Sequence, residues 1–346
     1  MAGKKYLSGA HAAGPTRDAV AKRAGVSSAT VSRALNDPGS VSDATRKRVL
    51  GAAKALGYTL DKRASALRRG GSGTLVFASR AAAEGETFDR YYSWFYADII
   101  HAVQQAVEPS AYSLSLFTFR SPRDVASLAR RLPEGILLRN EQEPAVMRAF
   151  AALGVPTVVC RQGAGRSAME SAVIDEREGG RLAAEALLAA GCRRPLHITG
   201  GLGQNFVCRD RYQGFCGGLA PLEPLLIDGR LGIQGGLASG AKAAQLVKEG
   251  RVDGIFVVND LTAVGVVQAL LAAGVRIPED VRLIGYDRLP FIDVLPIRLA
   301  TLDIGFGRLY GEATRALLAR MAGGAAVRIT LAPVLVGGGS LGTRVT

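Results

Sequence analysis

The sequence predicts an all-α helix-turn-helix headpiece followed by an α/β body of two lobes, each built on a parallel, doubly wound sheet. Three observations predict it. Residues 1–70 carry fourteen Lys/Arg against four acids, which places ten of the chain's thirteen net positive charges in its first fifth. Residues 16–57 hold three short helical patterns, the first two joined by a tight Gly turn, which is helix-turn-helix geometry. From residue 74 onward, apolar β-like runs alternate with amphipathic helical runs, the pattern of parallel sheets with helical crossovers. The chain has 346 residues, enough for two or three compact units.

In chain order, residues 1–15 are small and polar and read as a disordered extension. Thr16 offers an N-cap, and Val20, Ala21 and Ala24 recur at helical spacing. Gly25 ends that helix, Val26 packs, and Ser27 caps a second helix running through Leu35. Asn36-Asp37-Pro38-Gly39 is a turn signature. Ser42 caps a third helix with the apolar stripe Val49, Leu50, Ala53 and Leu56, closed by Gly57, so the headpiece spans 16–58. Residues 59–72 form a basic linker. Strand patterns follow at 74–78, 112–119, 135–138, 156–160, 195–199, 224–228, 254–258 and 281–286. Helical patterns between them include 177–190, 240–249, 261–273 and 308–321. The remaining length, 73–346, is long for one sheet, so two lobes are expected: 73–171 with 303–325, and 172–302 with 326–346.

A basic first fifth on a nearly neutral remainder implies a polyanionic partner. In a helix-turn-helix the second helix enters the major groove with its N-terminal side chains at base edges. Here Ser28, Ala29 and Arg33 are the base-reading candidates. Arg33 can bond guanine through two N–H groups, and Ala29 can touch a thymine methyl. Thr16, Ser27, Thr30, Ser32 and Asn36 are candidates for phosphate contacts, which position a protein without specifying sequence.

Other function classes find little support. Cys160, Cys192, Cys208 and Cys216 show no metal-ligand spacing and read as core filler in a reducing compartment, so no metal is expected. No export signal follows Lys4 and Lys5, and no run is long enough to span a membrane, so a cytoplasmic location is expected. Gly200-Gly201-Leu202-Gly203 lacks dinucleotide-loop spacing. Gly235 and Gly240 have P-loop separation, but Ala241 stands where the lysine must follow. His11, His101 and His197 have no carboxylate pairing, and no catalytic residue is expected. A solute-binding protein with no DNA role would leave the basic headpiece unexplained.

Residues Val20–Asn36, Val41–Val49 and Leu56-Gly57-Tyr58 resemble the headpiece of the LacI/GalR family of bacterial transcription regulators. The resemblance implies a periplasmic-binding-protein-like body, no enzyme activity and no cofactor. It implies a repressor that binds a pseudo-palindromic double-stranded operator as a homodimer, away from membranes, under control of a small-molecule effector held between the lobes. The effector it points to is a sugar or sugar derivative; the alternative is a nucleobase or nucleoside acting as co-repressor.

The linker resembles the family's hinge helix, which places Ala64 and Leu67 at a minor-groove step. An apolar wedge flanked by Arg63, Arg68 and Arg69 suits an opened minor groove, although the same residues fit a flexible tether. Arg211-Tyr212-Gln213-Gly214-Phe215, Asn259-Asp260-Leu261-Thr262-Ala263-Val264-Gly265 and Ile284-Gly285-Tyr286-Asp287 resemble effector-domain segments. They imply Arg211, Asn259 and Asp287 as effector ligands. Trp94, Phe95 and Tyr96 fall at the family's pocket wall, and for Phe95 a core position is an equal reading. Arg161 is the further candidate, at a strand end alongside Arg139, Asp175 and the 200–205 loop. Departures from the family stand at Arg17, Ala19, Leu60, Asp61, Ser65, Arg288 and the crossover Thr301–Phe306.

Overall fold

The computed structural model describes residues 15–36, 40–58, 72–81, 87–139, 141, 143–162, 169–203 and 205–342. The hinge positions Ala64 and Leu67 and the N-terminal extension before residue 15 lie outside the described residues, as do the side chains of Asn36, Trp94 and Arg161. The chain divides into two compact units, Met1–Gly73 and Thr74–Thr346.

In the first unit, α1 (Arg17–Ala24), α2 (Ser28–Asn36) and α3 (Asp43–Leu56) enclose one small core. The predicted caps are present. Thr16 accepts a hydrogen bond from the Ala19 amide at 3.2 Å, and Ser42 accepts one from the Thr45 amide at 3.4 Å. Ser27 accepts from the Thr30 amide at 3.1 Å. Gly25 closes α1 with φ 64°, a left-handed conformation that a side chain would oppose. Val20, Ala21, Ala24, Val31, Ala34, Val49, Ala52 and Ala53 are buried together, one stripe from each helix.

Among the described residues, the second unit contains two six-stranded sheets. Its elements are β1 (Thr74–Arg80), α4 (Thr87–Val107), β2 (Ser113–Phe119), α5 (Pro122–Ser127), β3 (Gly135–Arg139), α6 (Pro144–Ala151), β4 (Thr157–Gln162) and β5 (Glu170–Ile174). There follow α7 (Glu176–Ala189), β6 (Pro195–Thr199), α8 (Phe206–Leu219), β7 (Leu225–Asp228), α9 (Gly232–Lys248), β8 (Gly254–Val257) and α10 (Asp260–Ala272). The chain ends with β9 (Arg282–Asp287), β10 (Ala300–Asp303), α11 (Phe306–Met321), β11 (Arg328–Leu331) and β12 (Val334–Val336).

The first sheet has the order β11-β5-β4-β3-β1-β2 and is parallel throughout. The second, β12-β10-β9-β8-β6-β7, is parallel except for β12. In the first sheet, Leu75, Phe77 and Leu137 enter one core cluster while Val76, Ala78, Ile136 and Leu138 enter another. Both faces are therefore covered, which is why these strands read as continuous apolar runs.

Two boundaries differ from expectation. The first lobe keeps β5 and takes β11 as its edge strand, so the crossings fall after Ile174 and Leu331 rather than near 171 and 325. The backbone bonds of 328–331 to 171–174 decide the assignment. Helix α9 also begins at Gly232, not 240, although glycine disfavours helices. A Cβ on Gly236 would sit 2.1 Å from the Thr262 carbonyl oxygen, and one on Gly265 2.1 Å from that of Ile233. Glycine is what lets α9 and α10 touch backbone to backbone. Gly235 and Gly240 thus lie inside a helix, and their spacing belongs to helix packing.

Candidate functional site

The unit Met1–Gly73 presents a polar helix face. On α2, Val31 and Ala34 are buried, while Ala29 and Arg33, four residues apart and on one face, are exposed. Ser28 is half-buried, and its hydroxyl donates to Asp18 on α1. Thr16 and Ser27 use their side-chain oxygens as caps. Ser27 and Thr30 also share a hydroxyl–hydroxyl bond of 2.8 Å. Thr16, capping as an acceptor, keeps its hydroxyl proton for an outside acceptor, while Ser27 and Thr30 keep one such proton between them.

In the body, the carboxyl ends of the neighbouring strands β8, β9 and β10 carry the candidate site, as expected for open α/β sheets. Arg211 on α8 is almost completely buried. Its Nε donates to Glu176 at 2.7 Å, its Nη1 to the Val258 carbonyl at 2.5 Å, and its Nη2 to Asp287 at 3.2 Å. The guanidinium lies 3.5 Å from the centroid of the Tyr286 ring, a cation–π contact. Burial opposes the charge on Arg211, but Glu176 and Asp287 outweigh it and hold the group protonated. Burial pushes the Asp287 carboxyl well above its ordinary range, and Arg211 works against that rise.

Asp287 also sits at φ 110°, and Arg288 at φ 58°, conformations that L side chains rarely adopt. Such strain, of order 1–3 kcal/mol per residue, persists where the surroundings enforce it. Here the enforcing group is Asp260. Its Oδ1 accepts from the Tyr286 amide at 2.9 Å and the Thr301 hydroxyl at 2.8 Å, and its Oδ2 from the Leu289 amide at 2.9 Å. Burial raises the Asp260 carboxyl to about 7, and those same donors restrain the rise. A Cβ on Gly285 would lie 2.2 Å from Asp260 Oδ1. Gly285→Ala is therefore expected to destabilise the body by about 1–3 kcal/mol through overpacking, read as a lower calorimetric Tm. An unchanged Tm would mean that Asp260 moves aside freely.

A cavity of about 170 Å³ opens in front of Asp287, lined by Phe95, Asp98, Arg288, Asp303 and Phe306 among others. Phe95 and Phe306 form an edge-to-face pair at 4.6 Å, joining the two readings of Phe95: it is buried in the core and also lines the cavity. Arg288 is held by Asp293 at 2.9 Å.

Other candidates are placed differently. Tyr96 packs edge-on to Phe77 at 5.7 Å, with the Arg139 guanidinium 5.8 Å from its ring. Asn259 caps α10, accepting from the Thr262 amide at 2.9 Å. Asp175 caps α7, accepting from Glu178 at 3.0 Å. The neighbouring Glu176, which the sequence reading passed over, is the carboxylate that reaches Arg211. Phe306, Tyr286, Asp98 and Asp303 were missed as well; the polar strand end at Asp303 was the signal available. The 200–205 loop borders a separate open hollow with Phe206, Arg230 and Leu231. His197 is sealed in an aromatic stack with Tyr212 and Phe256, and burial lowers it to about 3, so it stays neutral.

Comparison with known proteins bears on what these surfaces serve. Residues 17–61 match "Bacterial regulatory proteins, lacI family", and residues 184–341 match "Periplasmic binding protein-like domain". The HTH-type transcriptional regulator CelR of Thermobifida fusca is 32% identical over 289 residues, covering 79% of this chain and 82% of the relative. The chain belongs to the LacI family. This LacI-family protein is a DNA-binding transcriptional regulator and not an enzyme. The HTH-type transcriptional repressor PurR of Edwardsiella ictaluri is 30% identical over 286 residues, covering 78% of this chain and 80% of the relative. The solved structure of the CelR–cellobiose complex superposes with a TM-score of 0.66 at 28% identity, covering 94% of this chain and 99% of that one. Among the described residues, no helix is long and apolar enough to cross a membrane.

Proposed function

We propose that this LacI-family regulator is a repressor that reads a pseudo-palindromic operator as a homodimer, with operator affinity set by a sugar or sugar derivative bound between its lobes. The observation that carries the DNA reading is the exposed Ala29–Arg33 face of α2, standing on a buried Val31–Ala34 stripe in the basic part of the chain. Ala29 and Arg33, with Ser28 steadied by Asp18, read bases. Thr16, Ser27, Thr30, Ser32 and Asn36 meet phosphates, and Ala64 and Leu67 wedge the minor groove. A second copy is favoured by exposed leucines on both edge strands: Leu116 of β2 is 51% exposed, and Leu225 and Leu226 of β7 are 38% and 41% exposed.

The sugar reading is supported by carboxylates and aromatic rings sharing one cavity, and by the CelR–cellobiose complex among similar structures. Carboxylates accept from hydroxyls, and ring faces cover apolar C–H faces. Phe95, Tyr96, Asp287 and Arg211 are the groups assigned to it, with Trp94, Arg161 and Asn259 completing the set. The aromatic pair also suits a nucleobase or nucleoside co-repressor, and PurR repressors are among the relatives. At about 170 Å³ the cavity is smaller than the roughly 300–1,000 Å³ usual for ligand clefts. By linkage, an effector that sets operator affinity has its own affinity changed by the operator by the same factor.

The test is selection of binding sites from random duplex DNA with the full chain, followed by anisotropy at several salt concentrations. A palindromic consensus and a steep fall of log K with log salt are expected, each phosphate contact contributing about −0.9 to the slope. Binding that ignores sequence, or that salt barely changes, would overturn the reading.

A further inference from the structure

We infer that Asp18 is a specificity-determining residue of the DNA-reading face. By taking the proton of Ser28 it makes that hydroxyl an acceptor, so Ser28 selects cytosine or adenine, the bases with a major-groove amino group, on the strand it faces. The inference rests on Ser28 being a base-reading residue, and adds which bases it reads.

A serine hydroxyl has one proton and two lone pairs, so it ordinarily donates or accepts as its surroundings require. Here the choice is made. The Ser28 hydroxyl donates to Asp18 Oδ1, and an ionised carboxylate only accepts, so the proton points nowhere else while the bond holds. Among the described residues, nothing donates to the Ser28 oxygen, and its lone pairs stay open. The two residues lie ten positions apart, in the first turn of α1 and at the first position of α2, so the bond spans the turn between the helices.

Neighbouring hydroxyls are not fixed in this way. Thr16 accepts from the Ala19 amide and keeps its proton, as a phosphate contact requires. Ser27 and Thr30 bond each other, and either can be the donor. Phosphate oxygens carry no proton, so Ser28, with its own proton committed, has nothing to offer them. Asp18 would itself repel a phosphate. Residues 1–70 carry ten excess positive charges, yet among the described residues Asp18 forms no ion pair, and its carboxylate is turned to α2 instead.

Ser28 adjoins Ala29, which with Arg33 forms the exposed face of α2. The base donors of the major groove are N4 of cytosine and N6 of adenine; guanine and thymine present carbonyl oxygens in their place. An acceptor-only hydroxyl therefore attracts the amino bases and meets lone pair with lone pair at the keto bases. In the free protein, water competes for the surface bond between Ser28 and Asp18. On DNA that water is displaced, the bond strengthens, and an acceptor facing an acceptor goes unpaired.

The experiment is selection from random duplex DNA with the full chain and three variants, followed by anisotropy on single-base variants of the selected operator. Ser28→Ala identifies the base pair that Ser28 faces, as the position where preference is lost. There the wild type is expected to favour cytosine or adenine on one strand over guanine and thymine by about tenfold, within the usual cost of one mismatched base pair. Asp18→Ala releases the Ser28 proton, and a free serine hydroxyl serves either kind of base edge, so the ratio is expected to fall to about twofold at that position alone. Asp18→Asn is expected to do the same, because its amide brings protons of its own, and it decides the matter if Asp18→Ala does not fold.

Guanine or thymine favoured at the Ser28 position overturns the inference, as does a ratio that the Asp18 variants leave unchanged. An even loss of affinity across all operators overturns it too, since Asp18 would then only stabilise the helix start. The underlying assignment fails separately. If Ser28→Ala leaves every position as it was, Ser28 reads no base, and the inference falls with it whatever the Asp18 variants do.

Discussion

Arg211→Ala is expected to destabilise the sensor body by about 3–5 kcal/mol, the usual consequence of removing one partner from a buried ion pair. The size follows from what remains. Glu176 and Asp287 are both almost fully buried, and Arg211 supplies the charge that opposes them. Alanine also vacates the space beneath the Tyr286 ring. Urea unfolding at pH 7 measures the loss, and its pH dependence identifies the cause. In the variant, burial without the opposing Arg211 raises the Asp287 carboxyl further above its unfolded range, so the folded state takes up a proton that the unfolded state at neutral pH does not hold. The deficit is therefore fullest at neutral pH and shrinks as pH falls toward the unfolded carboxylate range, near 4. The double variant Arg211→Met/Glu176→Met, which removes charge of both signs and refills the volume, is expected to recover much of the stability. A variant that loses little stability, or loses the same amount at every pH, would show that water reaches the carboxylates and that the cluster is not sealed.

The same cluster shows where sequence reading succeeds and where it stops. Thr16, Ser27, Ser42, Gly25 and Gly57 were legible because a helix end is set by residues within three or four positions. Asp287 was legible through a motif and Arg211 through another, but nothing local joins them. Arg211 is separated by 35 positions from Glu176 and 76 from Asp287, and only the folded sheet order brings them together. Asp175 drew attention as a polar strand end, whereas it spends its side chain on an α7 cap. The residue beside it enters the site because the helix turns Glu176 toward α8. β11 escaped because it is only four residues long and its partner is remote: it follows β5 by more than 150 residues. Glycine misled in α9, where its low helix propensity is overruled by backbone contact with α10. Lobe membership of 328–331 is likewise a property of the ladder, not of the segment.

At the other end of the chain, Arg33→Ala is expected to weaken operator binding by about 1–3 kcal/mol for each half-site, or about 2–6 kcal/mol for a dimer with two independent contacts. The expectation depends on how α2 is held. Val31 and Ala34 are pinned in the core, which fixes the rotation of the helix and keeps Ala29 and Arg33 on the outward face. Ser28 is tied to Asp18, so the start of the helix is steadied without using Arg33. A guanidinium so placed can discriminate, because two N–H groups match the O6 and N7 of guanine and no other base edge. Discrimination has a signature that affinity alone lacks. Anisotropy with the selected operator and its single-base variants, at one salt concentration, should show the loss confined to one base-pair position in each half-site. Substituting that base pair should cost the wild type much and the variant little. The slope of log K against log salt should stay as it was, since no phosphate contact has been removed. If Arg33→Ala instead lowers affinity evenly across all operators and flattens the slope by about 0.9 per lost contact, Arg33 holds the backbone. Base reading would then rest on Ala29 and Ser28, whose short side chains can deliver only the weaker contacts.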